Sequence, residues 1–437
     1  TVLLKETENG LEGVAEYATD LFEAATVETF MAYYREILEQ MVALPSERRL
    51  SAIVLPEEET LREELGLDEE RYVGVYPLTA MQRDMYLSWR LRPETLENSL
   101  GYGVELHHEV DEALWRVALE RYHAGYGVLR SELVAGARSW HDEVYRVELR
   151  AGVVGAELPL EVADLSGEDW DAQRIGELIR SRIERPYRSG ERLLHHYLYR
   201  LGEKHWVTIM ASHHLLLDGV GYATHLLGVC RDYDALRQGD ALKELPADGF
   251  AREVWRDREE MDSGEVLSYW REELRELEPL SWPVAEELGT ERQRQRATLN
   301  AEERDAIQRY CRRHKVTPTL YWKSVYSLLI GGLTVESGDV VLQEFTSGRG
   351  GGEDGELGCY YRMQPYVLRK EHLRAGATFT SYLEAAREYH RRSRDYDHIS
   401  ILSQNRLLGQ RRVAYLYNYV HFYPELEVGG QSERIEP

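Results

Sequence analysis

The sequence has little cysteine and no excess of basic residues. Its 437 residues include three cysteines, Cys230, Cys311 and Cys359, whose spacing matches neither a disulfide framework nor a zinc-binding pattern. Lys and Arg number 53 against 77 Asp and Glu, which gives a formal net charge of −24. Because phosphate backbones and anionic lipids attract basic surfaces, this charge argues against nucleic-acid and membrane partners. So little cysteine favours a reducing, cytoplasmic location.

Long apolar runs are also missing. No stretch approaches the roughly 20 apolar residues that a membrane-spanning helix requires, and the first residues lack the order of a signal peptide. The hydrophobic content of 43% and the charged content of 30% are typical of a globular protein. A chain of this length exceeds the size at which one core keeps growing, so we expect two lobes.

Hydrophobic periodicity predicts mixed strands and helices. Asn9-Gly10 indicates a hairpin turn between two short strands. Residues 45–71 are charged and flanked by proline, which predicts a linker. Helices alternate with strands in residues 72–240 and again in 241–437, which favours an α/β sandwich used twice.

Two adjacent histidines end one of the predicted strands, in the stretch MASHHLLLDGVGYATHLL. Adjacent strand residues point to opposite faces, so His213 and His214 have different surroundings. One histidine can pack inward while the other reaches a cavity, where its pKa of about 6.5 suits proton transfer. Asp218 can fix the following loop or pair with a buried arginine, and Gly219 permits a tight turn.

Other interpretations of these histidines are weaker. A buried histidine in an apolar strand is often only a packed core residue. A zinc site would need three converging ligands, and the available third one, His225, is distant in sequence. No G-x-S-x-G nucleophile elbow is present. The G-x-G-x-x-G at Gly350, Gly352 and Gly355 precedes a strand and contains two acids, so it predicts a loop rather than a phosphate site. We therefore expect no metal site.

Several stretches in a fixed order resemble the condensation domain of nonribosomal peptide synthetases, which belongs to the chloramphenicol acetyltransferase-like superfamily. Residues 213–219 (HHLLLDG) match its His-His-x-x-x-Asp-Gly motif completely. The partial matches are residues 76–86 (YPLTAMQRDMY), 128–133 (VLRSEL), 269–274 (YWREEL), 347–369 (SGR to YVLR) and 417–424 (YNYVHFYP).

The resemblance implies a fold, an activity and partners. It implies two chloramphenicol acetyltransferase-like sandwich lobes in a V-shaped pseudodimer, with a tunnel at their junction. Donor and acceptor peptidyl carrier proteins would deliver cargo on phosphopantetheine arms, and no cofactor would be bound permanently. The enzyme would be an acyltransferase that forms an amide bond for antibiotic or siderophore biosynthesis. Neighbouring synthetase domains would be further partners.

The resemblance also implies residue roles. His214 would be the catalytic residue and His213 a supporting one. Asp218 would fix the loop, paired with Arg130, and Gly219 would offer its backbone at the site. The residues implied to line the tunnel are Ser347, Arg349, Tyr361, Arg362 and Asn418.

The chain departs from the family pattern at several positions. Gly221 stands where a serine is usual, and Tyr360, Tyr361 and Arg362 replace a common Phe-Val-Asn. These differences bear on cargo preference rather than on fold. Two alternative functions stay open, an epimerase of the same fold and a non-catalytic recruitment domain.

The order of segments is unusual for this family. Residues 1–44 resemble the tail of a condensation domain, yet they stand before residues 72–240, the predicted lobe that carries HHLLLDG. A hairpin and a helix with an apolar face have nothing to bury against alone. We therefore expect residues 1–44 to complete the lobe formed by 241–437, pairing with strands from 340–423, by circular permutation or by exchange with a neighbouring copy. The helix face expected to pack there consists of Phe30, Tyr34, Leu38 and Met41.

Overall fold

A computed structural model of the chain describes chiefly seven stretches of the sequence. These are residues 65–135, 144–246, 248–278, 297–333, 338–349, 356–373 and 376–409, with shorter stretches within 2–42 and 413–434.

The first two strands form the predicted hairpin. Strands β1 (Val2–Thr7) and β2 (Gly10–Ala15) pair antiparallel with Thr7 opposite Gly10, as the Asn-Gly signal predicts. Among the described residues, however, these strands do not pair with residues 340–423, so the expected completion of the second lobe stays a prediction. In the described part of the chain β1 and β2 pair only with each other. On the following helical stretch Phe30 is 43% exposed and Leu38 36% exposed, whereas Met41 lies outside the described residues. Exchange with a second copy stays a prediction.

The first lobe contains seven strands and four helices among the described residues. Its strands form the sheets β4-β9-β8-β7 and β3-β6-β5, antiparallel except for the parallel pair β7–β8. The elements are β3 (Tyr72–Pro77), α1 (Ala80–Leu91), β4 (Ser99–Leu106), α2 (Glu112–Gly125), β5 (Ser131–Ala135), β6 (Val144–Leu149), β7 (Leu160–Asp164), α3 (Ala172–Ile183), β8 (Leu194–Gly202), β9 (His205–His213) and α4 (Gly219–Gln238).

The second lobe is built around the sheet β11-β10-β12, in which β10 and β12 run parallel. A separate hairpin, β13–β14, lies against α4 and β4 of the first lobe. The elements are α5 (Phe250–Glu260), α6 (Gly264–Glu273), α7 (Ala301–His314), α8 (Pro318–Leu333), β10 (Val340–Thr346), β11 (Arg362–Leu368), α9 (Phe379–Ser393), α10 (Ile401–Leu408), β12 (Leu416–Tyr417), β13 (Glu425–Val428) and β14 (Gln431–Arg434).

Strand β9 ends at His213, the first histidine of the pair, and is buried on both faces. Trp206 and Met210 belong to the first lobe's main core, whereas Val207 and Ile209 pack with Ile175 of α3. Because both faces of the strand are covered, its sequence reads as a nearly continuous apolar run. The end of β9 is therefore held rigidly in the middle of its sheet.

Helix α4 begins and ends at residues that suit those positions. Asp218 accepts a hydrogen bond from the Gly221 backbone at its N-terminus, and Gly239 ends the helix with a φ of 74°. The helix extends directly from the end of the HHLLLDG loop, so its first turn fixes the position of that loop.

The predicted boundary at residue 240 does not separate two independent cores. Phe250 and Val254 of α5 pack in the first lobe's core, together with Leu357, Cys359 and Tyr360 from the second half of the chain. A distinct core is formed by residues of α6 to α10, β10 and β11. The two lobes therefore share a packed seam next to the histidine loop.

Two further findings concern the cysteines and the apolar character of the helices. Cys230, Cys311 and Cys359 are all buried and unbridged. Among the helices in the described ranges, none combines the length and apolar character needed to cross a lipid bilayer.

Candidate active site

His214 lies at the seam, in the turn after β9. Its backbone N–H donates to the Asn98 carbonyl at 2.8 Å, and its side chain is half-buried. The Nδ1 atom lies 2.9 Å from the Leu217 carbonyl oxygen. Because a carbonyl only accepts, Nδ1 must carry the proton, which leaves the Nε2 lone pair available. The loop itself thus selects the tautomer that can take up a proton.

Burial changes the acid–base properties of His214. Desolvation lowers the pKa of its imidazole, while the Asp218 carboxylate and the Leu217 carbonyl act in the opposite direction. The imidazole is therefore neutral at pH 7.

Tyr361 from the second half of the chain covers His214. The two ring centroids are 4.8 Å apart and tilted by 36°. The Tyr361 hydroxyl lies 3.5 Å from the Met85 sulfur, and its ring contacts Phe345 edge-on. Tyr361, predicted to line the tunnel, is thus next to the candidate catalytic group.

His213 has the opposite environment, as the strand alternation predicts. It is 2% exposed and packs on Trp89 and Tyr187, with ring centroids 4.8 and 5.6 Å away. Its Nδ1 accepts the Leu215 backbone N–H at 3.2 Å. Burial lowers the pKa of His213 to about 3, so it is neutral and supports the loop.

Asp218 binds Arg349, not Arg130. Its Oδ2 lies 2.5 Å from Arg349 Nη1 and accepts the Tyr360 backbone N–H at 2.9 Å. Its own backbone N–H donates to the Gly358 carbonyl at 3.1 Å. Since both side chains of the ion pair are at most 5% exposed, Asp218 joins the loop to the second half of the chain through a buried pair. The predicted pairing with Arg130 is therefore wrong.

Arg130 stabilises the end of a helix instead. Its guanidinium donates to the carbonyls of His123, Ala124 and Leu149. Two of these carbonyls, those of His123 and Ala124, lie at the C-terminal end of α2, where carbonyls have no partner within the helix. Arg130 and Arg349 are both partly buried, and the sequence alone does not show which of them contacts Asp218.

The glycines after Asp218 allow the close approach of the two halves. Gly219, expected to permit a tight turn and to offer its backbone at the site, is the first residue of α4. A Cβ atom at Gly221 would lie 3.2 Å from the Gly358 carbonyl oxygen and 3.3 Å from Leu217. Because residue 221 has no side chain, the two halves of the chain can pack tightly against each other at the seam.

The other residues implied to line a tunnel have different surroundings. Arg349 is occupied by Asp218 and lies over the Tyr360 ring at 4.3 Å. Ser347 and Asn418 are exposed. Of the five residues, the structure places Tyr361 in contact with His214.

Arg362, implied to line the tunnel, lies in a cluster of buried ion pairs. Its guanidinium contacts Glu253, Asp257 at 3.4 Å and Asp397 at 3.3 Å. Asp257 also accepts the Ala80 backbone N–H at 2.9 Å. The cluster therefore connects α5, β11 and the start of α1, and gives Arg362 a structural place at the seam.

Gln82 is a site residue that sequence reasoning missed. It is fully buried and donates its side-chain amide to the Leu215 carbonyl at 2.6 Å. Its side-chain oxygen also accepts the Thr79 backbone N–H, which forms a capping box at the start of α1. The signal was present in residues 76–86, where Thr79 and Gln82 have capping-box spacing.

The histidines do not form a metal centre with His225. That side chain is fully buried, bonded to the Tyr102 hydroxyl through Nδ1 and stacked on His196. In the part of the chain that the structure describes, no cluster of potential metal ligands includes His213, His214 or His225.

A cavity of about 220 Å³ is lined in part by Leu216 of the loop. Its lining includes Trp89, His123, Arg130, Leu194 and Leu216, all from the first lobe. His214 does not line it, so this cavity differs from the expected tunnel between lobes.

Comparison with known families identifies the class of protein to which this fold and the HHLLLDG loop belong. A family model described as the condensation domain matches residues 72–411, and the chain belongs to this family. The family occurs in nonribosomal peptide synthetases, which agrees with the resemblance in the HHLLLDG motif and its flanking stretches.

Curated relatives are much longer than this chain. Tyrocidine synthase 2 of Brevibacillus parabrevis is 22% identical over 372 residues, which cover 82% of this chain and 10% of that protein. Chondramide synthase of Chondromyces crocatus is 27% identical over 292 residues, with coverage of 61% and 7%. Enterobactin synthase component F of Escherichia coli O157:H7 is 25% identical over 211 residues, with coverage of 46% and 16%. The chain spans less than a fifth of the length of these relatives.

Solved structures show the same fold. The first condensation domain of the CDA synthetase superposes with a TM-score of 0.68 at 20% identity, covering 83% of this chain and 86% of that one. The starter condensation domain of rhizomide synthetase gives a TM-score of 0.71 at 17% identity, with coverage of 86% and 84%. The α/β fold implied by the resemblance is thus confirmed.

Proposed function

We propose that the chain is an acyltransferase that joins a donor acyl or peptidyl thioester to the α-amine of an acceptor aminoacyl thioester. Both substrates would be attached to carrier proteins through phosphopantetheine arms. The observation that supports this is the neutral, tautomer-fixed imidazole of His214 at the seam of the two lobes.

The reaction needs a proton acceptor near the attacking nitrogen. An α-amine has a solution pKa near 8 and is mostly protonated at pH 7. The ammonium first loses one proton to solvent, which gives the neutral amine. The Nε2 lone pair of His214 then accepts a second proton as the neutral nitrogen attacks the thioester carbon. The C–N bond forms, the tetrahedral oxyanion collapses, and the C–S bond breaks to release the carrier's thiolate. The proton held by His214 then passes to the thiolate, so charge and atoms balance.

The second contribution to the reaction rate is the positioning of the two tethered substrates. Proton transfer to His214 supplies only part of the acceleration, about 10²–10⁴-fold. Holding two tethered reactants in register converts a bimolecular step into an effectively unimolecular one, which can supply about 7–11 kcal/mol. Tyr361, Met85 and Phe345 form the wall beside the imidazole, and we assign the orientation of cargo to this wall.

The loop is built to keep His214 in place. Gln82 holds the Leu215 carbonyl, His213 accepts the Leu215 N–H, and Asp218 fixes the far end through Arg349. These contacts leave the imidazole ordered before any substrate binds. Such preorganisation supports a catalytic role for the site over a purely binding role.

The test uses the full chain with two loaded carrier proteins, one donor and one acceptor, and mass spectrometry of the carrier-bound products. Transfer of the donor acyl group to the acceptor amine, lost in His214→Gln but kept in the surface variant His390→Gln, supports the proposal. Inversion of the donor stereocentre without a new amide would instead indicate an epimerase. Carrier binding without any conversion would indicate a recruitment domain.

A further inference from the structure

A group of metal-ligand side chains lies at the opposite end of β9 from His214. Glu105, His107 and His205 place their ligand atoms within 4.8 Å of one another. Strand β9 runs from His205 to His213, about 27 Å at 3.4 Å per residue. The group is therefore separate from the candidate active site, and a role for it does not depend on the proposed function.

Strand register brings the three residues together. Glu105 and His107 are two positions apart on β4 and its extension, so they share one face. Continuing the β4–β9 register past the pair Leu106 and Trp206 places His107 directly opposite His205. Directly opposite side chains have Cβ atoms about 4.5–5.5 Å apart. Glu105 and His205 are thus positioned by the strands β4 and β9, and His107 directly follows the last residue of β4.

The ligand atoms of the three side chains are already close to one another. The imidazoles of His107 and His205 stack with centroids 4.9 Å apart and an interplanar angle of 28°. Glu105 Oε2 lies 2.8 Å from His205 Nε2 and 4.0 Å from His107 Nε2. Ligands at about 2.0–2.2 Å from a tetrahedral ion are separated by about 3.3–3.5 Å. Both distances differ from that separation by less than an ångström, which side-chain rotation can supply.

The three side chains lie at a solvent-exposed end of the sheet. Gly101 and Gly103 lie on the same face of β4, and α3 packs over them through Ile183 and Ile179. Glu105 and His107 continue this face toward the strand end, where their side chains are 34% and 53% exposed. An ion can therefore enter without unfolding any element, and a fourth coordination position faces water.

We propose that Glu105, His107 and His205 form a binding site for a divalent transition-metal ion of the zinc class. Two imidazole nitrogens and one carboxylate oxygen are a donor set that zinc accepts in three-ligand sites with a water in the fourth position. The ion takes the place of the hydrogen bond between His205 and Glu105. It connects β4 to β9 at their solvent-exposed ends. The fourth position is open to water or to a side chain of another protein.

The test measures zinc binding by the full chain after removal of adventitious metal with a chelator. Competition against a chromophoric chelator gives the stoichiometry and affinity, and cobalt(II) gives a visible spectrum that reports four-coordinate geometry. We expect one ion bound at this site, and about 100-fold weaker binding in His205→Gln and in His107→Asn, a loss at the upper end of the effects known for residues around metal sites. His390→Gln, which removes an exposed imidazole of the second lobe, serves as the matched control and binds as the original chain does.

Thermal unfolding distinguishes loss of the site from loss of the fold. Without zinc, the variants should unfold near the temperature of the original chain, because the three side chains are at the surface. Zinc should raise the unfolding temperature of the original chain and of His390→Gln but not of the two site variants. Unchanged zinc affinity in folded His205→Gln and His107→Asn would overturn the proposal, as would no binding by the original chain at millimolar zinc.

Discussion

Asp218 and Arg349 form a buried ion pair between residues 131 positions apart, with Oδ2 and Nη1 separated by 2.5 Å. Tyr360 and Gly358 add backbone hydrogen bonds to the same aspartate. The loop that carries His214 is thus held from both halves of the chain, and its stability depends on contacts that cross the seam.

Breaking this ion pair should destabilise the fold. Asp218→Asn or Arg349→Met leaves one buried charge without its partner, which typically costs about 3–5 kcal/mol in the free energy of unfolding. A double-mutant cycle measured by denaturant unfolding should give a large coupling energy for Asp218 with Arg349. The control cycle of Asp218 with Arg130 should be additive. Coupling to Arg130 instead would contradict the structure.

The two histidines should separate activity from stability. His214→Gln should reduce amide formation by about 10²–10⁴-fold while the midpoint of unfolding stays nearly unchanged, since the side chain is only half-buried. His213→Gln should lower the free energy of unfolding by about 1–3 kcal/mol because it disturbs buried packing on Trp89 and Tyr187. Product assays and denaturant unfolding of both variants check this. Equal effects of the two substitutions on both measurements would reject the assignment of roles.

The pKa of His214 should respond to the ring above it. Tyr361→Ala admits water to the imidazole, and because burial is the main cause of its lowered pKa, that pKa should rise toward 6.5. Tyr361→Phe keeps the ring and should keep the pKa lowered. Histidine NMR titration, with His214→Gln to assign the signal, measures the shift directly. If neutral His214 is the base, the acid limb of the rate profile should move upward in pH in the alanine variant only.

Buried histidines should make the protein sensitive to mild acid. Burial lowers the pKa of His123 to about 4, and of His213 and His225 to about 3. Below the unfolded value of about 6.5, the unfolded chain binds protons that the folded chain does not, so stability falls as pH falls. Each histidine contributes up to about 1.4 kcal/mol per pH unit between 6.5 and its folded pKa. Unfolding free energies from pH 7 to pH 4 should show this slope, and a flat profile would show that these side chains are solvated.

Two glycine substitutions should have opposite signs. Gly221→Ala places a Cβ atom 3.2 Å from the Gly358 carbonyl oxygen at the packed seam, and overpacking there should cost about 1–3 kcal/mol. Gly176→Ala in α3 meets nothing within 4 Å and should gain about 0.4–1 kcal/mol by restricting the unfolded chain. Thermal unfolding of both variants tests the pair. A stabilising Gly221→Ala would show that the seam has room at this position.

Local elements were largely predictable from the sequence. The strand pair β8–β9 and helix α4 follow from apolar periodicity, with Asp218 and Gly239 as caps, and the Asn-Gly signal correctly indicated the first hairpin. These features depend on neighbours a few residues apart. By contrast, residues 127–130 form a 3₁₀ turn directly before β5, which apolar periodicity alone does not indicate.

Long-range partners were not predictable from residue type alone. The opposite environments of His213 and His214 follow from strand alternation, yet the choice between Arg130 and Arg349 for Asp218 depends on how two distant segments meet. Arg362 illustrates the same point, since its burial against acidic side chains is decided by α5 and by the segment after α9. A charged residue in sequence does not reveal whether its partner is cargo or another side chain.

The hydrogen bond from His214 Nδ1 to the Leu217 carbonyl affects how such a protein can evolve. The imidazole's tautomer is set within four consecutive residues, whereas the wall above it comes from Tyr361, far along the chain. Substitutions in the wall can therefore alter the shape offered to a new cargo without changing which nitrogen accepts the proton. If the proposed function is correct, the tautomer of the base and the wall that faces cargo are encoded in separate parts of the sequence, and the wall can diversify while the tautomer is retained.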